Sequence, residues 1–227
     1  IRTKEEFAGK ISHQLELDSA QIIEAMLDTA FLNPLNLNAF TVSSLFIPNT
    51  YEFYWNTTVT SFLSRMVAEH HHFWNESRQS KAKRLNLTKE EVVTLASIVE
   101  KETLQTSEQP VVAGLYLNRL KKSMKLQSDP TVIFAIGDFS IRRVLKKDLK
   151  YDSPYNTYKY KGLPIGPISI PSIRAIDAVL NYQKHEYLYM CAKEDFSGYH
   201  NFAKSVRQHY ANAAKYRKAL NDKNIKR

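Results

Sequence analysis

The run Thr88-Lys89-Glu90-Glu91-Val92-Val93-Thr94-Leu95-Ala96-Ser97-Ile98-Val99-Glu100-Lys101-Glu102 constrains the fold more than any other segment. Thr88 and Glu91 have the spacing of a capping box, in which the hydroxyl reaches the amide three residues on and the carboxylate reaches back. A helix is predicted to begin there. At 100° per residue, with Val92 as zero, the apolar side chains from Leu95 through Val92 to Val93 fill an arc from about 300° to about 100°. Glu100 falls inside that arc at about 80°, whereas Lys101 at about 180° points to water and Glu102 at about 280° sits on the rim. A carboxylate held against apolar neighbours is penalised when charged, so the pKa of Glu100 is expected to rise toward that of a general acid working near neutrality. The structural alternative is that Glu100 lies beyond the buried part of the helix, or pairs with Arg119 or a lysine.

A chain of 227 residues, 43% hydrophobic and 24% charged, can bury a sizeable core around such a helix, and wholesale disorder is disfavoured. With 32 Lys and Arg against 23 Asp and Glu, the net charge of +9 favours an anionic partner: nucleic acid, an acidic membrane surface or an acidic wall polymer. The basic residues are spread through the chain, with only modest clusters at 81–84, 121–125 and 142–150, which argues against a nucleic-acid footprint. The single cysteine, Cys191, excludes an internal disulfide framework and a cysteine-based zinc site, and its apolar surroundings suit a buried strand residue. No stretch has the roughly 18 apolar residues of a membrane span, and nothing resembles a secretory signal. The chain opens on Ile1 rather than Met, as a trimmed fragment would.

Along the chain, residues 1–45 read as a small segment of short helices. Asp18 or Ser19 is expected to cap the amphipathic run that carries Ile22, Ile23, Met26 and Leu27, and Asn33-Pro34-Leu35-Asn36 to stop it. The aromatic stretch from Leu45 to Trp55 suits a strand or loop packed on a larger body. A helix is expected from Val59 to Trp74, followed by a basic linker from Arg78 to Arg84. After the capping-box helix, further helices are predicted at Glu108–Lys122, at Thr131–Ile136 with a stop at Gly137, at Ser172–Tyr182 and at Ser205–Leu220. Strands are expected at 186–192 and at Tyr199–Ala203, and a rigid irregular loop over Ser153–Pro167. The pattern gives an α+β, predominantly helical protein, with a larger domain over 46–227.

Several chemistries lack their motifs. His70-His71-His72 follow Glu69, but adjacent helical residues diverge in direction, so no metal site is expected. No G-x-S-x-G elbow and no glycine-rich phosphate loop occurs, and no cofactor is implied. Ser128-Asp129-Pro130-Thr131 is a turn into a helix, where Asp129 can serve simply as a cap. Tyr155-Asn156-Thr157-Tyr158 can be structural, yet an amide, hydroxyls and aromatic faces are also what sugar recognition uses.

Taken together, Phe46-Ile47-Pro48-Asn49-Thr50-Tyr51, Ala96-Ser97-Ile98-Val99-Glu100-Lys101-Glu102, Leu117-Asn118-Arg119-Leu120, Leu126-Gln127-Ser128-Asp129-Pro130-Thr131, Tyr155-Asn156-Thr157-Tyr158 and Gly162-Leu163-Pro164-Ile165-Gly166-Pro167-Ile168 resemble the YceG-like family of endolytic murein transglycosylases. Ile165 departs from the family pattern, which usually has a second proline there. The resemblance implies a YceG-like catalytic domain preceded by a partial LysM-like segment in residues 1–45. It also implies cleavage of the β-1,4 bond between N-acetylmuramic acid and N-acetylglucosamine inside peptidoglycan strands, leaving 1,6-anhydro ends. The family's catalytic glutamate, carried over onto this motif, falls on Glu100, with Glu102 as runner-up or helper. Gln127, Ser128, Asp129, Thr131, Asn156 and Tyr158 are the substrate-binding candidates that the motifs supply. Also implied are peptidoglycan strands and cell-wall synthases as partners, an inner-membrane anchor before residue 1, and a catalytic domain on the periplasmic or extracytoplasmic side. The competing expectation is a non-catalytic peptidoglycan-binding or scaffold protein of the same fold, in which Glu100 is structural.

Overall fold

The computed structural model describes residues 1–223, so the last four residues of the expected 46–227 domain lie outside it. The chain begins with α1 (Lys4–Ser12), α2 (Ser19–Leu27) and the single turn α3 (Thr29–Leu32). Side chains that compete with the backbone start each of them: Thr3 accepts from the Glu6 amide, Asp18 from those of Ala20 and Gln21, and Asp28 from that of Ala30. Asn33-Pro34-Leu35 tightens to a 3-10 turn and Asn36 ends it in the left-handed region at φ 55°. The aromatic stretch that follows is loop rather than strand. Its Phe46 and Ile47 are buried, while Tyr54 and Trp55 stand in solvent.

Helix α4 (Val59–Phe73) lies where the periodicity places it. The basic stretch after it is not a linker but the body of α5 (Glu76–Leu85), capped by Asn75 at the start and by left-handed Asn86 at the end. Its apolar face is narrow, with Ala82 alone fully buried, which is why periodicity misses it. Arg78 fastens α5 to α9 (Ile173–Leu180) through a two-pronged bond to Asp177, 3.0 and 3.1 Å.

The capping box forms as the spacing requires. Thr88 accepts from the Glu91 amide at 3.2 Å and the Glu91 carboxylate accepts from the Thr88 amide at 2.8 Å, opening α6 (Lys89–Glu102). Every residue of α6 from Val92 to Val99 is buried, because the helix is surrounded by α5, α7 (Gln109–Lys121), α8 (Asp129–Ile136) and α9. The main core is built around it, with Leu115, Tyr116, Leu126, Ile176 and Val179 among its members. A second apolar cluster joins α1 and α2 to Phe46 and to Phe62, Leu63 and Met66 of α4.

Two short antiparallel strands, β1 (Tyr189–Ala192) and β2 (His200–Ala203), pair Tyr189 with Ala203 and Ala192 with His200, and α10 (Val206–Asp222) packs on both. Close approach fixes Gly166, where any Cβ would run into the carbonyl of Phe40, so the 162–172 loop lies directly on the N-terminal segment. Among the described residues, no helix is long and apolar enough to cross a membrane.

Candidate active site

The last turn of α6 delivers two carboxylates to different places. Glu100 is half-buried and accepts from the amide of Ser172, the N-cap residue of α9, at 3.0 Å. One turn earlier, Ser97 accepts from the amide of Ile168 at 3.0 Å. Together they stitch the 168–172 segment to this face of α6. Arg119 is not a partner of Glu100: its guanidinium donates to the carbonyls of Leu188 (2.6 Å), Leu126 (2.7 Å) and Lys125 (3.3 Å).

Glu102 lines a cavity of about 180 Å³, together with Tyr116, Arg119, Gln127, Asp129 and Tyr158. The carboxylate is packed among protein atoms even though the cavity leaves part of the residue open. Tyr116 of α7 donates to Glu102 Oε2 at 3.0 Å and Ser128 Oγ to the same oxygen at 2.9 Å. No hydrogen bond to Oε1 is made among the described residues.

Burial raises the pKa of Glu102 from 4.5, and the nearby Asp129 adds to the rise; the bonds from Ser128 and Tyr116 and the proximity of His200 oppose it without reversing it. Burial also pushes the Tyr116 hydroxyl well above its usual range, reinforced by the charge of Glu102. Tyr158 is raised by burial and by its 2.6 Å bond to Asp129 Oδ1. Both phenols therefore remain neutral donors at physiological pH.

The walls are braced from behind. Gln127 sits in the left-handed region at φ 52°, its amide held by the carbonyl of Thr157 at 3.1 Å and its side chain reached by Arg119 at 3.4 Å. Such a conformation costs a non-glycine residue on the order of 1–3 kcal/mol and persists only where the surroundings impose it. Thr131 bonds to Ser128 O at 2.7 Å and to Thr157 Oγ1 at 2.8 Å, fully buried beneath the turn. Asn156 is equally buried and organises its own loop, donating to Leu149 O and Tyr151 O and accepting from the Tyr158 amide. Asp129, expected as a cap, makes no capping bond; it is the acceptor for Tyr158.

Of the residues singled out from sequence, Glu102, Gln127, Asp129 and Tyr158 thus share one cavity, with Ser128 bonded to the first of them. Glu100, Thr131 and Asn156 do not line it. Tyr116 is a member that the sequence reading missed. Its signal is a tyrosine in the apolar stripe of α7, since a buried phenol needs a partner. Glu108 and His200 form a further support. Glu108 Oε1 accepts from the His200 amide at 2.8 Å, Oε2 lies 2.9 Å from His200 Nδ1, and Thr103, next to Glu102, donates to Oε2 at 3.3 Å. A pairing across 92 residues leaves no local trace in the sequence.

The model of the YceG-like family matches residues 1–215. The chain belongs to that family. An endolytic murein transglycosylase of Bacillus subtilis (strain 168) is 32% identical over 232 residues, covering 96% of this chain and 64% of the relative. One of Streptococcus pneumoniae serotype 2 (strain D39) is 35% identical over 173 residues, covering 74% of this chain and 31% of the relative. The chain therefore spans just under two thirds of the first of these curated relatives and about a third of the second. The crystal structure of a YceG-like protein from Listeria monocytogenes superposes with a TM-score of 0.76 at 28% identity, over 91% of this chain and 72% of that one. The YceG-like assignment thus rests on sequence and on fold together, and it takes in the helical N-terminal segment as well as the Glu102 cavity.

Proposed function

We propose that this chain is an endolytic lytic transglycosylase acting on peptidoglycan strands outside the cytoplasm, with Glu102 as its general acid and base. The observation that carries the reading is the state of Glu102. Its carboxyl is biased toward protonation, anchored through Oε2 by two hydroxyls, and left with Oε1 free at a cavity of polar lining. A protonated Glu102 donates to the glycosidic oxygen as the bond from the muramoyl C1 breaks, and the N-acetylglucosamine portion leaves with that proton. The resulting carboxylate takes the proton of the muramoyl 6-hydroxyl as its oxygen closes on C1, giving the 1,6-anhydro end and restoring the acid. One carboxyl suffices because the nucleophile belongs to the substrate, unlike the two-carboxylate scheme of ordinary glycosidases. Asp129, Gln127 and Tyr158 orient sugar hydroxyls and acetamido groups and face the charge that develops at C1.

Glu102 is favoured over Glu100 for this role because Glu100 commits an oxygen to a backbone amide and lines no part of the cavity. The curated relatives named endolytic murein transglycosylases support the reaction class. An inner-membrane anchor before residue 1 and cell-wall synthases as partners belong to the same proposal and rest on the family resemblance alone.

The test is mass spectrometry of purified glycan strands treated with wild type, Glu102→Gln and Glu100→Gln. Wild type and Glu100→Gln should leave anhydromuramoyl ends, and Glu102→Gln should not while keeping its fold. Release by Glu102→Gln at the wild-type rate overturns the assignment. Strand binding without release by any of the three points instead to a wall-binding scaffold.

A further inference from the structure

A second, smaller cavity of about 100 Å³ lies beside the seam between α6 and α8, where Arg2, Lys101, Pro130, Phe134, Phe139 and Ile168 are among its lining residues. Lys101 adjoins Glu102 and Pro130 adjoins Asp129, so on both helices neighbouring residues serve the two cavities. The Arg2 guanidinium rests on the ring of Phe139, 4.6 Å from its centroid, and that ring packs on Phe134. Neither Arg2 nor Lys101 has a side-chain ion-pair partner among the described residues. Glu6 accepts from the Arg2 backbone amide and pairs with Lys10, and Asp138 accepts from Ser140.

Two cations without an ion-pair partner among the described residues, in a cavity that two aromatic rings also line, suit a carboxylate on a partly apolar carrier. The guanidinium offers a planar fork to both oxygens, the ammonium a mobile point charge, and the rings cover methyl and methylene groups. We infer that this cavity holds a free carboxylate of the peptide stem borne by the muramoyl unit whose glycosidic bond lies at Glu102. The inference rests on the transglycosylase reading for its choice of polymer. Extended peptide advances about 3.3–3.6 Å per residue, so a stem of a few residues has the reach to run from a site on one face of α6 and α8 to a site borne on the same turns of those helices. The pair Arg2 and Lys101 then makes the enzyme prefer strands with acidic stems over bare glycan.

The first measurement is calorimetric titration of the 227-residue chain carrying Glu102→Gln, with a soluble muramoyl peptide and with the same compound amidated at its carboxyls. Amidation, and separately the added pair Arg2→Ala and Lys101→Ala, should each weaken binding by about tenfold, the worth of a charge-assisted contact. The second compares cleavage of peptide-bearing and peptide-stripped strands. Wild type should favour the former by about tenfold, and the Arg2→Ala, Lys101→Ala variant should lose that preference while cleaving stripped strands at the wild-type rate. Binding indifferent to amidation overturns the inference without reference to any variant, and so does equal loss on both strand types. Carboxylate-dependent binding through Arg2 and Lys101 with no anhydro product from either strand supports the site and sinks the transglycosylase reading instead.

Discussion

Glu100 and Glu102 leave the last turn of α6 about 200° apart and enter different surroundings. On the Glu100 face, Ser97 and Glu100 accept the amides of Ile168 and Ser172, so polar groups are spent on holding a loop and the start of α9. On the Glu102 face, two hydroxyls hold one carboxylate oxygen, and the other accepts no hydrogen bond among the described residues. The difference lies in what the neighbours supply. A backbone amide satisfies a carboxylate and fixes structure; two hydroxyls position Glu102, while burial, which their bonds only partly offset, favours its protonated form.

The most forceful way to break this comparison is to neutralise each carboxylate. Glu102→Gln should lower the rate of anhydro-end formation by about 10²–10⁴-fold, the usual contribution of a general acid and base. The same substitution should stabilise the protein at neutral pH. Because folding raises the pKa of Glu102 from 4.5, its contribution to stability is complete below about that pH and is lost as pH climbs through the folded value. Glutamine has no such loss. The melting temperature of Glu102→Gln should therefore exceed that of wild type at pH 7, and the gap should close as pH falls toward 4.5. A gap that widens on acidification contradicts the raised pKa.

Next in size is a contrast between lining and scaffold. Asn156→Ala removes three hydrogen bonds from a fully buried side chain and should cost about 3 kcal/mol. In a chain of this length that is a fall of roughly 6–12 °C in melting temperature. The rate per folded molecule should drop far less than in Glu102→Gln. A loss of rate as deep as that of Glu102→Gln with unchanged melting would move Asn156 into the site.

How far this was legible in the sequence depended on the range of each interaction. The capping box needed only Thr88 and Glu91, and the caps at Asp18 and Gly137 were equally local. Helix α5 was hidden by its polar surface, although Asn75 and Asn86 mark both its ends. The helical wheel selected Glu100 because it assumed one buried face. In fact α6 is buried all round from Val92 to Val99, so the direction of Glu102, a rim position on the wheel, is another packed face where Tyr116 and Ser128 happen to supply hydroxyls. Thr131 and Asn156 are candidates through the motifs they belong to and their polar side chains. Motif membership and polarity do not say whether a side chain's bonds turn inward, as both of theirs do.

Glu100→Ala tests the other face. It leaves the Ser172 amide without its acceptor and removes a negative charge from the N-terminus of α9, together worth about 2 kcal/mol. Cleavage should survive, with a lower melting temperature. Abolished cleavage at unchanged stability would return the acid role to Glu100.

The smallest effect sharpens the comparison through the loop that Glu100 holds. Ile165 stands where the family usually has proline, is partly exposed, and its amide makes no hydrogen bond among the described residues. Ile165→Pro removes conformational freedom from the unfolded chain without removing a bond and should raise stability by about 0.4–1 kcal/mol. If Glu100 acts by ordering the 162–172 loop, a chain stiffened at residue 165 needs that tether less. The cost of Glu100→Ala should then be smaller in the proline background, with a coupling of about 0.5 kcal/mol or more in the double-mutant cycle. Strict additivity would mean that the Glu100 bond stabilises α9 alone and leaves the loop to Ser97.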